Sequence, residues 1–263
     1  VYSLFNWFSA VIYYLTNMRF KLIGCEVFIR EISHWIARSP HVVDAEYTEK
    51  QSHNDSRLLR EEIMERISRT EEGKTRYDAI LLAFGLCGNS TAGIAARKTK
   101  VVIPRAHDCC TIFLGSAGRF RELFSDNPSR PFTSAGYMER GENDYLRESE
   151  GGKFLGLDKS YSEYVELYGE ENARYIIETL TPPEKPDDSV FFIDTPETSH
   201  LGFAEKCRLD AEKENREFRL IPGDSGLIRD LCTGDWSENR FLILEPGKKI
   251  VPLYDWENVM EKE

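Results

Sequence analysis

The chain has 263 residues, of which 41% are hydrophobic and 30% charged. That is one large domain or two small ones, long enough to bury a core without disulfide staples, which excludes a collagen, a coiled coil, a disordered tail and a disulfide miniprotein. With 34 basic against 45 acidic side chains, the net charge of −11 argues against broad nucleic-acid binding and against an anionic membrane as partner, leaving room for a local basic pocket.

Residues 1–17 differ from the rest: twelve are apolar and none is charged. The run is short for a membrane span of about 20 apolar residues and lacks the basic start of a signal peptide. The preferred reading is an extension outside the core domain, with a membrane or partner anchor and a packed segment as alternatives. From Met18 the chain alternates. Arg19–Cys25 reads as a strand and Glu26–Arg38 as a helix with Phe28, Ile29, Ile32, Trp35 and Ile36 on one face. His41–Thr48 is a strand, and Asn54–Ser68 a helix with Leu59, Ile63 and Ile67 spaced by four. Tyr77–Phe84 has the continuous apolar pattern of a strand buried on both faces. A short helix is expected over Ser90–Arg97, a strand over Lys100–Pro104, and a helix over Cys110–Phe124 with a break near Gly115–Gly118. Ser125–Gly156 reads as a loop-rich excursion, Ser160–Leu180 as a long helix and Thr181–Asp188 as a linker. Val190–Asp194, Ser199–Asn215, Phe218–Pro222, Ser225–Cys232 and Phe241–Leu244 repeat strand, helix, strand, helix, strand.

This alternation implies an α/β fold, Rossmann-like, with a mostly parallel sheet covered by helices and right-handed crossovers. The organisation read from it is a lobe over 18–124, the excursion and long helix over 125–180, and a second α/β part over 181–263. The excursion either divides two lobes or caps a single sheet.

Ligands of such folds bind outside the carboxyl ends of the strands, near a switch in strand order. Cys25 ends the first strand, the Gly85–Ser90 stretch follows the third, and Arg105-Ala106-His107-Asp108-Cys109-Cys110 follows the fourth. Parallel strands bring these loops to one edge. Thiolate and imidazole suit zinc or an iron–sulfur cluster. His107 and Cys109 fall on one side of an extended segment, and Cys87 and Cys25 are further candidate ligands; whether Cys25 or Cys110 takes part is open. Packed loop residues, a metal site, and a metal-free thiol with His107 as base all remain readings. Gly88, Asn89 and Ser90 form a turn able to aim N–H groups at an anion, and Arg105 is placed to clamp a carboxylate or phosphate. Glu26 and Asp108 are candidate acid/base groups. The turn Gly223–Gly226 reads as a helix cap with substrate contact as the alternative. Cys207 and Cys232 read as packing residues, and His34, His41, His53 and His200 carry no pattern that singles them out. The six cysteines, in a large chain without a visible signal peptide, point to a reducing, cytoplasmic setting.

The stretches LIGCEVFIREI, YDAILLAFGLCGN, VVIPRAHDCCTIFLGS and GDSGLIRDLCTGDWSENRFLILEPG resemble domain of unknown function 1638, a family of anaerobic bacteria and archaea, over about residues 19–252. The resemblance points to Cys25, Glu26, Cys87, Asn89, Arg105, His107, Asp108 and Cys109. The resemblance implies a link to corrinoid-dependent methyltransferase systems, which such proteins often accompany. The resemblance and the donor set together imply a metal-dependent enzyme acting on a small thiol or anion, with alkyl transfer in one-carbon metabolism as the reaction. The alternatives are an accessory protein holding a metal, cluster or corrinoid ligand for a methyltransferase, and a metal-free anion binder.

Overall fold

Short stretches rich in apolar residues become most of the strands, and the amphipathic stretches between them become helices. A computed structural model describes residues 17–125, 132–141, 165, 170, 189–253, 255 and 258–263. In chain order the elements are β1 (Arg19–Cys25), α1 (Ile29–Ile36), β2 (Val42–Thr48), α2 (Ser56–Glu72), β3 (Ala79–Ala83), β4 (Val101–Pro104), α3 (Cys109–Leu114) and α4 (Ala117–Phe124). They continue with β5 (Phe132–Thr133), α5 (Ala135–Glu139), β6 (Val190–Asp194), α6 (Phe203–Lys213), β7 (Phe218–Pro222), α7 (Gly226–Thr233), β8 (Phe241–Leu244), β9 (Ile250–Pro252) and β10 (Met260–Lys262). Residues 1–16 of the expected extension and the linker 181–188 lie outside the described residues, as does nearly all of the expected helix 160–180. No helix among the described residues is long and apolar enough to cross a membrane.

The main sheet has the order β2-β1-β3-β4-β8. The first four strands are parallel, and β8 closes the edge antiparallel to β4, with Phe241 opposite Pro104. Every residue of β3 is buried, as its unbroken apolar run requires. The chain reverses direction across the sheet between β2 and β3. Right-handed crossovers then place α1 and α2 on opposite faces. Helix α2 seals its face with Leu59, Ile63 and Ile67. Helix α1 packs on α7, and Ser39 Oγ donates to Cys232 O at 2.7 Å. Cys207 and Cys232 are fully buried packing residues. A second parallel sheet, β5-β6-β7, joins a short strand from the excursion to two strands beyond it, and β9 and β10 make a small antiparallel pair. The two arrangements left open by the sequence are thus combined: β6 and β7 build a separate sheet, while β8 returns to the first.

Two local expectations are corrected. Ser90–Arg97 is a series of turns instead of a helix. Asn89 and Gly93 take left-handed backbone (φ 66° and 79°), and Ala95 bridges to Lys249, so no helical ladder starts. Glu26–Phe28 is a 3-10 turn that leads into α1.

Candidate metal centre

The carboxyl ends of β1 to β4 meet at the point where strand order reverses, between β1 and β3. Each delivers one side chain there. Cys25 is the last residue of β1. His53 lies on the 3-10 turn Lys50–Asn54 after β2. Cys87 follows β3, and Cys109 opens α3 after β4. The ligand atoms of His53, Cys87 and Cys109 lie within 4.8 Å of one another. Cys25 interacts through its thiol with Cys109 and with His53.

Local backbone chemistry fixes each of these positions. The loops after β3 and β4 are zipped together: Leu86 N donates to Ala106 O and Cys87 N to His107 O, both at 2.9 Å. A side chain at Gly85 would place its Cβ 2.7 Å from the Asp108 nitrogen, so glycine is required. Cys87 and Asn89 are non-glycine residues in left-handed backbone, at φ 46° and 66°. That conformation costs on the order of 1–3 kcal/mol at each, the kind of strain that surrounding structure must impose. Here Ser90 Oγ donates to Cys87 O at 2.7 Å, Thr91 Oγ1 to Gly85 O at 3.1 Å, and the Arg60 guanidinium to Asn89 O at 2.6 Å. Glu26 Oε1 accepts from Lys50 N at 2.7 Å and anchors the turn bearing His53. Asp108 caps α3, its Oδ1 accepting from Thr111 N at 3.0 Å, and so orients Cys109.

The described part of the excursion, residues 132–141, folds back as a cover. Gly136 of α5 lies so close to the 3-10 turn after β1 that a Cβ would stand 1.8 Å from Val27 O. Arg30 Nε grips Glu139 at 2.8 and 2.9 Å. This brings the Tyr137 hydroxyl to Cys109, with Phe113 and Phe132 against its ring. Burial and the neighbouring thiols push the phenol well above its ordinary value, so Tyr137 remains a neutral donor.

The electrostatics of the four groups are shared. Hydrogen bonds to Cys25 and Cys87, with burial, push the Cys109 thiol well above its usual range. Donation from Cys109 brings Cys25 down to about 5 and Cys87 to about 6, with His53 adding to the effect against burial. Burial pulls the His53 ring down, but Cys25 and Cys87 outweigh it and raise the imidazole to about 10. No hydrogen bond of normal geometry reaches His53 Nε2, which is buried. An orphaned imidazole nitrogen among thiolates fits a soft divalent ion.

The remaining expected residues fall elsewhere. His107 sets its ring 5.5 Å from Phe120, and the histidine of the cluster is His53. The alternation that put His107 beside Cys109 ends at the Asp108 cap, because Cys109 is already helical. Arg105 is a structural clamp: it donates to Glu238 O at 2.8 Å, to Asn258 O at 2.9 Å and to Met260 O. Glu26 and Asp108 are positioning residues, occupied by Lys50 and Arg140 and by Thr111. Ser90 is buried with its N–H and hydroxyl both on Cys87 O, so it offers nothing to an anion, while Gly88 and Asn89 stand exposed. Cys110 is buried, its thiol pushed up by burial. His53 had no sequence signal beyond its place after a strand; Tyr137 had its aromatic character within a polar excursion.

No curated protein and no solved structure matches the chain. Residues 47–232 match the family described as Protein of unknown function (DUF1638), a span holding His53, Cys87, Cys109 and Tyr137, and the chain belongs to that family.

Proposed function

We propose that this protein is a metal-dependent enzyme whose centre is held by Cys87, Cys109 and His53, with Cys25 beside them. The reading rests on one observation: three thiols and an imidazole from four successive strand ends converge at the switch point of a parallel sheet. Size favours a single ion. Sulfurs bound to zinc at about 2.3 Å stand about 3.8 Å apart in a tetrahedron, compatible with ligand atoms within 4.8 Å. A four-iron cluster sets its thiolates wider. Zinc so held is a Lewis acid that lowers the pKa of a thiol or water in an open position. The protein's own groups supply the rest. Cys25 is buried beside the triplet, its thiol in contact with Cys109 and His53. Tyr137 offers a neutral O–H at Cys109, and α5 excludes water. Alkyl transfer to a thiol, within corrinoid-linked one-carbon metabolism, is the reaction we favour, from the donor set and the family resemblance. A second reading rests on the contact of the Cys25 thiol with Cys109 and His53: as a fourth ligand Cys25 would close the coordination sphere, which suits an accessory protein that holds metal for a methyltransferase.

Elemental analysis of protein purified without oxygen tests the centre. One zinc per chain is expected, lost in Cys109→Ser and His53→Gln and kept in His107→Asn. Protein that binds no zinc when zinc is supplied, or an H107N variant that loses it while H53Q does not, overturns the assignment. With cobalt in place of zinc, a spectral change on adding a small thiol marks an open position. An unchanged spectrum favours the accessory reading.

A further inference from the structure

A second cleft lies away from the thiols, where the carboxyl ends of β6 and β7 meet α1 and α4. It measures about 580 Å³, and a neighbouring cleft of about 800 Å³ shares His34 and Glu197 with it. Trp35, Ser225 and Glu197 form a chain across it: Trp35 Nε1 donates to Ser225 Oγ at 2.8 Å, and Ser225 Oγ donates to Glu197 Oε1 at 2.6 Å. The second oxygen of Glu197 is buried and accepts no hydrogen bond, and Glu197 has no cationic partner among the described residues.

Glu31 lies close by and is completely buried. Its Oε1 accepts from Thr195 Oγ1 at 2.8 Å, and its Oε2 has no partner. Thr195 begins the loop that carries Glu197, and the two carboxylates repel each other. On the opposite charge, Arg119 also lines the cleft and meets no carboxylate among the described residues. Its guanidinium donates to Leu114 O at 3.2 Å and Pro222 O at 2.7 Å. Arg229, held by Asp230, extends over the Trp35 ring. Asp224 caps Gly226 N at 2.7 Å. The wall thus presents two cations and two anions; Arg229 is paired with Asp230 and Asp224 Oδ1 is taken by the Gly226 N–H, which leaves Arg119 without a carboxylate and Glu197 without a cation among the described residues. A ligand of a single charge leaves one of them unmet; a zwitterion meets both.

We propose that this cleft binds a free α-amino acid, its ammonium group on Glu197 and its carboxylate toward Arg119. Glu197 as a residue is half-buried and lines the cleft, and a charged hydrogen bond from an ammonium to its carboxylate carries about tenfold or more in affinity. Trp35 gives the side chain an apolar wall. The cleft shares no lining residue with the metal centre.

Titration calorimetry on the metal-loaded full chain tests the proposal, using alanine, leucine, phenylalanine, glutamate and lysine, with ethylamine and acetate as the two half-ligands. At least one amino acid is expected to bind roughly tenfold or more tightly than either half. Glu197→Gln, close to isosteric, is expected to weaken it by a similar factor while zinc content stays unchanged. Cys109→Ser is expected to lose zinc and keep amino-acid binding, which separates failure here from failure of the metal reading. Binding of none of the five, binding of ethylamine or acetate as tightly as the best amino acid, or an unaltered Kd in E197Q overturns it. Arg119→Gln, checked by circular dichroism because Arg119 also ties two carbonyls, reports the carboxylate end. A folded R119Q that binds acetate and amino acid as the parent does also overturns the assignment.

Discussion

Glu26 touches no thiol, yet it holds the amide of the residue that begins the His53 turn, and its other oxygen faces Arg140 at 3.6 Å. Groups that orient a metal ligand typically govern metal affinity by 10–100-fold. Glu26→Ala is therefore expected to weaken zinc binding by roughly tenfold. Glu26→Gln keeps an oxygen for Lys50 N and is expected to come close to the parent. Competition with a chelator of known affinity measures both. Equal damage from the two variants would show that charge, and not the hydrogen bond, is what Glu26 contributes. At this scale the thiols were legible in the sequence, because a residue that ends a parallel strand has little choice of edge. The histidine was not. His107 is next to the cysteines in sequence, but Asp108 starts a helix and turns the two side chains apart. His53 is remote from them in sequence and arrives through the strand order. Only the order β2-β1-β3 makes it a neighbour of Cys87.

At the scale of elements, α5 is the piece that converts an edge of the sheet into an enclosed centre. Its five residues carry too little periodicity to stand out from the polar excursion around them. By contrast β3, buried on both faces, and α2, with apolar residues spaced by four, could be read directly. The helix docks through a glycine. In Gly136→Ala the added carbon would overlap the Val27 carbonyl, which is backbone and has no rotamer to change. Overpacking of this kind costs about 1–3 kcal/mol, and more where backbone must move. The expected outcome is a lower Tm together with faster hydrogen exchange over residues 26–28 and 135–139. Loss of the cover would also free the Tyr137 hydroxyl from Cys109 and return its titration toward that of an ordinary phenol. A G136A protein with unchanged Tm and unchanged exchange would mean that α5 does not bear on the turn after β1.

Across the whole molecule, the alternation of strands and helices specified layers and parallel pairing, but not which strand joins which sheet. Strand β8 is as apolar as β4, and nothing in its sequence says that it returns antiparallel to the first sheet after β6 and β7 have formed a second. Glu31 stands where the two parts meet, on α1 of the first and hydrogen-bonded to Thr195 after β6 of the second. Burial pushes its carboxyl up to about 7, against the pull of the Thr195 hydroxyl, from an ordinary value of 4.5. The folded state therefore holds a proton that the unfolded chain releases at lower pH. Between about pH 4.5 and 7 the folded state binds more protons than the unfolded one, so this residue's contribution to stability falls as pH rises and then levels off. Two and a half units at about 1.4 kcal/mol each make the full loss on the order of 3 kcal/mol. Glu31→Gln keeps the acceptor for Thr195 and cannot ionise. Urea unfolding at pH 5 and pH 8 should then show the variant gaining on the parent by about that amount as the pH is raised. Parallel stability curves for the two proteins would mean that Glu31 ionises in the folded state as it does in water, and that the junction between the sheets is open to solvent at this carboxylate.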